Sequence, residues 1–265
     1  MTRIKDTFLK LKKSNKKALV SYLVAGDPDL ETSLRIMHLM IKEGVDLIEL
    51  GVPFSDPMAE GVSIQKGYER ALVNGVSLED SLSLIKKFRK KDKKTPIILM
   101  GYMNPFDSMG SKVFCRKASK SGLDGILIVD MPPEESIEFT KETKKLGIDI
   151  IRLVAPTTSS SRVKKICKEA SGFVYYISLK GITGANLINS KEVRKKISKL
   201  QNLTKLPVVI GFGIRDGIAA SSVIDLADGI VVGSAFVDIM GGQKSKIDKE
   251  MSIKIRDLSQ AINKS

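Results

Sequence analysis

The sequence predicts an α/β protein that folds as a closed (β/α)8 barrel, the TIM-barrel architecture, in a single domain spanning residues 1–265. The first observation is the alternation of eight apolar segments with amphipathic helical patterns. The second is a recurring phrase, GVDLIEL, GLDGILIV, GIDIIRL and LADGIVV, which is typical of a helix end, a tight turn and a strand start. An open, doubly wound sheet is the alternative, but that fold usually contains fewer strands.

The eight apolar segments are almost uninterrupted by polar residues, as expected for parallel strands that are covered on both faces. They span residues 18–26, 46–51, 96–101, 125–130, 148–156, 173–179, 207–213 and 229–234.

Apolar stripes and end signals predict helices between these strands, with a further helix at each end of the chain. Gly44 should end the first stripe, Ser77 with Asp80 resembles a capping box, and Pro132 with Pro133 should open a helix that Gly147 closes. The stripes are Leu30, Leu34, Met37 and Ile41; Leu78, Leu82 and Ile85; Val193, Ile197 and Leu200; and Met251, Ile255, Leu258 and Ile262.

Composition narrows the class of function. A net charge of +14 suggests a nucleic-acid partner, but the lysines are spread along several helices and there is no Trp, so solvated helix faces are the preferred interpretation.

No apolar run approaches the length of a membrane span. Cys115 and Cys167 lie far apart and are interpreted as buried free thiols in a reducing, cytoplasmic location. The only histidine, His38, lies beside a helical stripe, so neither a His-based triad nor a His-ligated metal site is expected.

Three carboxylates stand out in the stretch from Gly44 to Gln65. Glu49 lies inside the apolar run LIELGV, where an ionised side chain is costly unless it is paired or its pKa moves. Asp56 and Glu60 follow in a polar, turn-rich loop. A buried Glu49 held by backbone donors is one interpretation, and a general acid or base is the other.

The last strand ends predict a phosphate site. They carry Gly181 and Gly184, then Gly211 and Gly213, then Gly233 with Ser234. Glycines let backbone amides approach an anion closely. In a barrel, phosphate sites form where the loops after strands seven and eight meet a short helix.

Taken in order, the motifs ELGVPFSDPMAEG, GYMNP, IVDMPPEE, VAPTTS, SLKGITGA, GFGI and VVGSAFV resemble the α subunits of tryptophan synthase over nearly the whole chain. The resemblance implies cleavage of indole-3-glycerol phosphate to indole and glyceraldehyde 3-phosphate. It also implies a pyridoxal-phosphate-dependent β subunit as partner in an αββα complex, a tunnel that carries indole to it, and no cofactor or metal in this chain.

The resemblance assigns roles to individual residues. Glu49 matches the family's general base, and the second catalytic carboxylate falls on Glu60, where the family has Asp; Val62 stands where the family usually has Pro. Asp56 would signal to the partner, and Asp130 would assist Glu49 or cap the Pro132 helix. The substrate contacts implied are Tyr22, Met100, Leu127, Leu153, Tyr175 and Thr183, and the phosphate contacts are Gly184, Gly213, Gly233 and Ser234.

Alternatives stay open at this level. The apolar and tyrosine positions fit plain barrel core equally well, and Asp56 fits a solvated loop. At the level of function, the extra methylene of Glu60 leaves two hypotheses, an active lyase or a weakly active barrel that mainly activates the β subunit. A phosphate-binding barrel isomerase without preference for indole is a third.

Overall fold

A ring of parallel strands separated by helices forms the framework of the protein. The structure, a computed structural model, describes residues 2–177, 191–211 and 213–263. The strands in these ranges are β1 (Ala18–Val24), β2 (Leu47–Gly51), β3 (Ile97–Gly101), β4 (Gly125–Ile128), β5 (Asp149–Ile150), β6 (Arg152–Val154), β7 (Val174–Ile177), β8 (Val208–Gly211) and β9 (Gly229–Val232).

In the described part of the chain, one or two α-helices lie between consecutive strands, except between β5 and β6, which have none between them. Within the described ranges they are α1 (Arg3–Lys13), α2 (Leu30–Glu43), α3 (Val62–Val73), α4 (Leu78–Phe88), α5 (Met103–Met109), α6 (Ser111–Ser121), α7 (Ile137–Lys145), α8 (Ser160–Glu169), α9 (Lys191–Leu203), α10 (Gly217–Val223), α11 (Ser234–Met240) and α12 (Ile247–Ile262). Short 3-10 turns occur at Pro133–Glu135 and Ile224–Leu226.

Strand pairing closes the sheet into the expected barrel. All pairs are parallel, and their order is β5-β4-β3-β2-β1-β9-β8-β7-β6. The two end strands, β5 and β6, are consecutive in the chain and are separated only by Ile151, whose amide bonds to the carbonyl of Ile126. The (β/α)8 barrel is therefore confirmed, with its fifth wall segment in two short pieces instead of the single strand expected over 148–156.

Alternation along the strands separates two apolar clusters. In β2, Ile48 and Leu50 point outward into the layer between sheet and helices, whereas Leu47 points into the barrel. The inner cluster continues downward to α1, where Ile4 and Phe8 pack beneath the barrel and the Phe8 and Phe173 ring centroids are 5.8 Å apart. Because both faces of the strands are buried, uninterrupted apolar runs were the correct signal for them.

Several helix ends match their sequence signals. The Asp29 side chain accepts from the amide of Thr32 at the start of α2, and Gly44 ends that helix in the left-handed region, with φ of 111°. Ser77 and Asp80 form the predicted reciprocal capping box of α4. The stripes at Ile197 and Leu200 and along α12 are buried; the side chain of Val193 lies outside the described part of the chain.

The helix predicted to run from Pro132 to Gly147 is interrupted. A 3-10 turn, Pro133–Glu135, comes first, and α7 begins only after Ser136. The buried Ser136 hydroxyl donates to the carbonyl of Pro133 and accepts from the guanidinium of Arg152, which is itself only 5% exposed. Ser136 at the break and the Met131 carbonyl each accept one guanidinium N–H, which offsets part of the cost of burying Arg152, whose Nε has no partner among the described residues.

The two cysteines are free, and they differ in burial. Cys115 and Cys167 are both free thiols; Cys115 is buried, but Cys167 is only half-buried. Burial raises the pKa of the Cys115 thiol to about 11. No helix in the described ranges combines the length and apolarity that a bilayer crossing requires.

Candidate active site

Glu49 lies on the inner wall of the barrel near the carboxyl end of β2. Its Cα pairs in register with Tyr22 of β1 and Ile98 of β3. Both of these side chains belong to the inner apolar cluster, and Glu49 is only 1% exposed. One of its carboxylate oxygens, Oε1, is buried without a hydrogen-bond partner among the described residues. No backbone donor among these residues therefore holds Oε1. This differs from the interpretation of Glu49 as a buried carboxylate held by backbone donors.

Glu60 reaches the same space from the loop between β2 and α3. The loop is held by Tyr102, whose hydroxyl accepts from the Ala59 amide at 3.0 Å, and by Gln65, whose side-chain amide donates to the Glu60 carbonyl at 2.8 Å. Tyr102 in turn stacks on Phe54, with ring centroids 5.2 Å apart. Glu60 also has a buried Oε1 without a partner in the described part of the chain.

The electrostatics of the two carboxylates differ from those of exposed glutamates. Burial, with a further contribution from the charge of Glu60, raises the pKa of Glu49 from 4.5 to about 8. Burial raises the pKa of Glu60 to about 7, while a hydrogen bond from the Tyr102 hydroxyl acts in the opposite direction. The pair can therefore hold one proton near neutral pH, as an acid–base pair requires.

An apolar and aromatic wall surrounds these carboxylates. Tyr22 is buried and its hydroxyl bonds to that of Tyr68 on α3 at 2.9 Å. Burial raises the pKa of Tyr175 well above its ordinary value, and the charges of Glu49 and Glu60 add to the effect, so the Tyr175 ring lies near both. The five described residues predicted to contact substrate all belong to the inner cluster, namely Tyr22, Met100, Leu127, Leu153 and Tyr175.

Two glycines make room for the tyrosine hydroxyls. A Cβ atom on Gly51 would lie 2.1 Å from the hydroxyl oxygen of Tyr22, and one on Gly211 would lie 2.1 Å from that of Tyr175. Each ring thus lies directly against the backbone of the neighbouring strand. No larger residue fits at either strand end without displacing a ring from the wall.

Two of the three glycine-rich strand ends, those of β8 and β9, lie side by side next to the start of α11. Gly213 adopts a left-handed conformation, with φ of 79°, just beyond β8, and Gly233 with Ser234 leads from β9 into α11. The amides of Phe236 and Val237 bond to the carbonyl of Gly233. Thr183 and Gly184, the other predicted ligand contacts in this region, lie outside the described residues.

The remaining predicted residues occupy peripheral positions. Asp56 is exposed in the β2–α3 loop and bonds to its neighbour Ser55. Asp130 does not cap the turn after Pro132, as one interpretation expected; its carboxylate accepts from the Met103 amide at 2.7 Å and so holds the start of α5.

Sequence reasoning missed the residues that organise the site from a distance. Tyr102 lies within the GYMNP motif, but nothing local shows that its hydroxyl holds a loop more than 40 positions earlier. Tyr68 lies on α3, a helix without a strong start signal, because Gly61 provides no side-chain cap.

In the ranges 2–177, 191–211 and 213–263, no three His, Cys, Asp or Glu side chains are grouped so that they could hold a metal ion.

Comparisons with known proteins agree with this geometry. The family model described as tryptophan synthase alpha chain matches residues 8–263. The tryptophan synthase alpha chain of Hydrogenovibrio crunogenus is 46% identical over 268 aligned positions, covering 100% of this chain and 98% of the relative.

Solved structures show the same likeness. Tryptophan synthase subunit alpha from Legionella pneumophila superposes with a TM-score of 0.93 at 38% identity, covering 100% of both chains. A chain of the tryptophan synthase complex from Pyrococcus furiosus superposes with a TM-score of 0.83 at 36% identity, covering 92% of this chain and 98% of that one. The chain therefore belongs to the tryptophan synthase alpha chain family, the lyases that cleave indole-3-glycerol phosphate in tryptophan biosynthesis.

Proposed function

We propose that Glu49 and Glu60 together carry out the cleavage of indole-3-glycerol phosphate in this chain, with Glu60 in the role that an Asp has in the family. One observation carries the assignment. Two carboxylates with raised pKa values converge on one apolar space, and each has a buried oxygen without a partner among the described residues. Perturbed, unpaired carboxylates of this kind are typical of catalytic sites.

The reaction is a retro-aldol cleavage, and the two groups divide its proton transfers. With a pKa of about 8, Glu49 is mostly protonated at neutral pH and can deliver a proton to C3 of the indole ring. Glu60 in its ionised form stabilises the positive charge that develops at the ring nitrogen.

In the second half of the reaction, Glu49 acts as a base instead of an acid. The Glu49 carboxylate removes the proton of the glycerol hydroxyl on the carbon next to the ring, and the bond between this carbon and C3 breaks. The bonding electrons return to the ring, so indole leaves as a neutral molecule and the other product is an aldehyde. The C3 proton leaves with indole, and the hydroxyl proton that Glu49 takes up replaces it, so the carboxyl group is regenerated.

Substrate would be held at both ends. The inner wall formed by Tyr22, Met100, Leu127, Leu153 and Tyr175 provides a flat apolar slot for indole. Gly213, Gly233 and Ser234, with Gly184, would bind the phosphate at the strand ends, and Thr183 would belong to a lid that closes over the substrate.

A β chain is the proposed partner. The exposed side of the β2–α3 loop carries Asp56 and Met58, and the Met58 side chain is 82% exposed although it is large and apolar. Covering this surface would order the loop that carries Glu60. The proposal includes an αββα assembly with pyridoxal phosphate in the β chain, an internal tunnel for indole, a cytoplasmic location and one barrel domain over residues 1–265.

The alternative of a barrel that serves mainly as an activator is not favoured. It rested on the additional methylene of Glu60, but the loop positions this longer side chain inside the site, close enough for its charge to affect Glu49.

The direct test is indole release from indole-3-glycerol phosphate by the purified chain, alone and with its cognate β chain. We expect slow turnover alone and a large increase with the partner, and we expect Glu49→Gln to remove both. A control variant, Ile253→Ala on the exposed face of α12, should behave as wild type. Absence of turnover in both states, together with a faster β reaction, would establish the activator function instead.

A further inference from the structure

An arginine lies beside the proposed phosphate site that neither the motifs nor the family assignment accounts for. Arg215 follows β8, two residues beyond Gly213. Its guanidinium Nη1 lies 3.4 Å from the hydroxyl oxygen of Ser234, a long contact, and its Nη2 pairs with the carboxylate of Asp238. The side chain thus connects the two glycine-rich strand ends that were expected to hold the phosphate.

Asp238 lies between two guanidinium groups. Arg70, on α3, makes a two-pronged ion pair with the buried Asp27, at 2.7 and 2.8 Å, and also donates to the Val237 carbonyl in α11. Hydrogen bonding to Asp27 raises the pKa of Arg70, and the charge of Asp238 contributes to the rise. Arg70 already has a full carboxylate partner, so Asp238 acts mainly as the counter-ion of Arg215.

The Arg215–Asp238 pair is suited to partner exchange. Its two side chains are 54% and 42% exposed, and ion pairs in such positions add only about 0–1 kcal/mol to stability. A phosphate group carries more charge and accepts two parallel hydrogen bonds from a guanidinium, which makes it the stronger partner. Little therefore opposes a transfer of the guanidinium from Asp238 to a phosphate beside Ser234.

We propose that Arg215 is a phosphate-binding residue of this enzyme, and that Asp238 keeps its guanidinium beside the site until the substrate arrives. The inference rests on the proposed position of the substrate phosphate at Gly213, Gly233 and Ser234. It adds a cation to a site that the sequence predicted from glycine backbone and one hydroxyl alone. The cation would strengthen binding of the phosphorylated substrate without touching the atoms that react.

A purely structural function makes a different prediction. If the ion pair only fastens the β8–α10 loop to α11, then removing either partner should have the same effect. If Arg215 binds phosphate, removing Asp238 takes away a competitor for the guanidinium and should help binding. The two single variants therefore separate the interpretations.

The experiment measures the kinetics of indole-3-glycerol phosphate cleavage by the complex with the β chain. Arg215→Gln should raise KM about tenfold with kcat nearly unchanged, as expected for loss of one charge-assisted contact made equally in ground and transition states. Arg215→Lys should have a KM between those of wild type and Arg215→Gln. Asp238→Asn should have a KM below that of wild type. The matched control is Arg256→Gln, which removes an exposed arginine of α12 that pairs with Glu43 of α2.

Inorganic phosphate serves as a second probe. As a competitive inhibitor, it should have an inhibition constant several-fold higher for Arg215→Gln than for wild type, whereas Arg256→Gln should not differ. An unchanged KM in Arg215→Gln, or an equal rise in KM in the Arg215 and Asp238 variants, would overturn the proposal. Failure of wild type to release indole would instead count against the proposed function, so the two failures are distinguishable.

Discussion

At the scale of single residues, the site contains two glutamates in different environments. Glu49 is fixed on a strand and fully enclosed, whereas Glu60 comes from a loop and has the Tyr102 hydroxyl beside it. The neighbours therefore determine which carboxylate is protonated and which is ionised at neutral pH. This difference in environment has consequences for stability that can be measured without substrate.

Glu49 should make the fold less stable as the pH rises. Its pKa is about 8 in the folded chain, against 4.5 for an exposed glutamate. Below pH 4.5 both states are protonated, and between 4.5 and 8 the unfolded chain loses its proton first, so the free energy of unfolding falls through this window and then levels off. In denaturant titrations from pH 5 to about 8.5, the free energy of unfolding of Glu49→Gln relative to that of wild type should increase by a few kcal/mol. A constant difference between the two across this range would contradict the prediction.

Shortening Glu60 should reduce activity, although it restores the residue that the family has. The backbone of the loop is held by Tyr102 and Gln65 at positions that suit the longer side chain. Glu60→Asp would withdraw the carboxylate by about one bond length, and displacements on the order of 1 Å can cost about 10²-fold in rate. The measurement is kcat for indole release by the complex; a sharp increase would show that the loop is not adapted to Glu.

At the scale of elements, the β2–α3 loop depends on the start of α5. Tyr102 immediately precedes α5, Asp130 holds the first amide of that helix, and the Tyr102 hydroxyl then anchors Ala59. A tyrosine at the end of β3 thus positions the loop that follows β2 and carries Glu60.

Removing that hydroxyl should loosen the loop and change the titration of Glu60. In Tyr102→Phe the hydrogen bond that lowers the Glu60 pKa disappears, so this pKa should rise above about 7. The acidic limb of the profile of kcat against pH should move upward, and kcat itself should fall about tenfold or more.

The control for this variant removes a hydroxyl far from the site. Ser77→Ala deletes the cap of α4 and should lower the free energy of unfolding by about 1 kcal/mol, with kcat and its pH profile unchanged. An unshifted profile in Tyr102→Phe would mean that the hydroxyl does not act on Glu60.

At the scale of the whole molecule, the barrel could be predicted from the sequence because its signals are local. Each strand is an apolar run, and Glu49 was recognisable because a carboxylate interrupts one of them. The contacts of Tyr102 with Ala59, of Arg152 with Ser136 and of Arg215 with Asp238 join segments that no local pattern connects. The Arg152 contact lies at the break before α7. The other two hold the loop that carries Glu60 and the segment beside the proposed phosphate site.

The lower end of the barrel gives a prediction about the whole fold. The amphipathic α1 places Ile4 and Phe8 against the inner cluster, where Phe8 packs on Phe173, so the first helix closes the end opposite Glu49. Phe8→Ala would leave a cavity next to the strand bottoms and should lower the free energy of unfolding by about 3 kcal/mol.

Activity should be preserved in that variant, because the chemistry lies at the other end of the strands. Leu9→Ala is the matched control, since it shortens a neighbouring α1 side chain that is 39% exposed and should cost much less stability. Denaturation midpoints and kcat measured on the three proteins separate the two effects. Equal losses of stability in both variants would mean that packing of Phe8 in the inner cluster adds nothing to stability beyond what an exposed α1 side chain adds. A loss of kcat in fully folded Phe8→Ala would mean that the two ends of the barrel are coupled through the inner cluster.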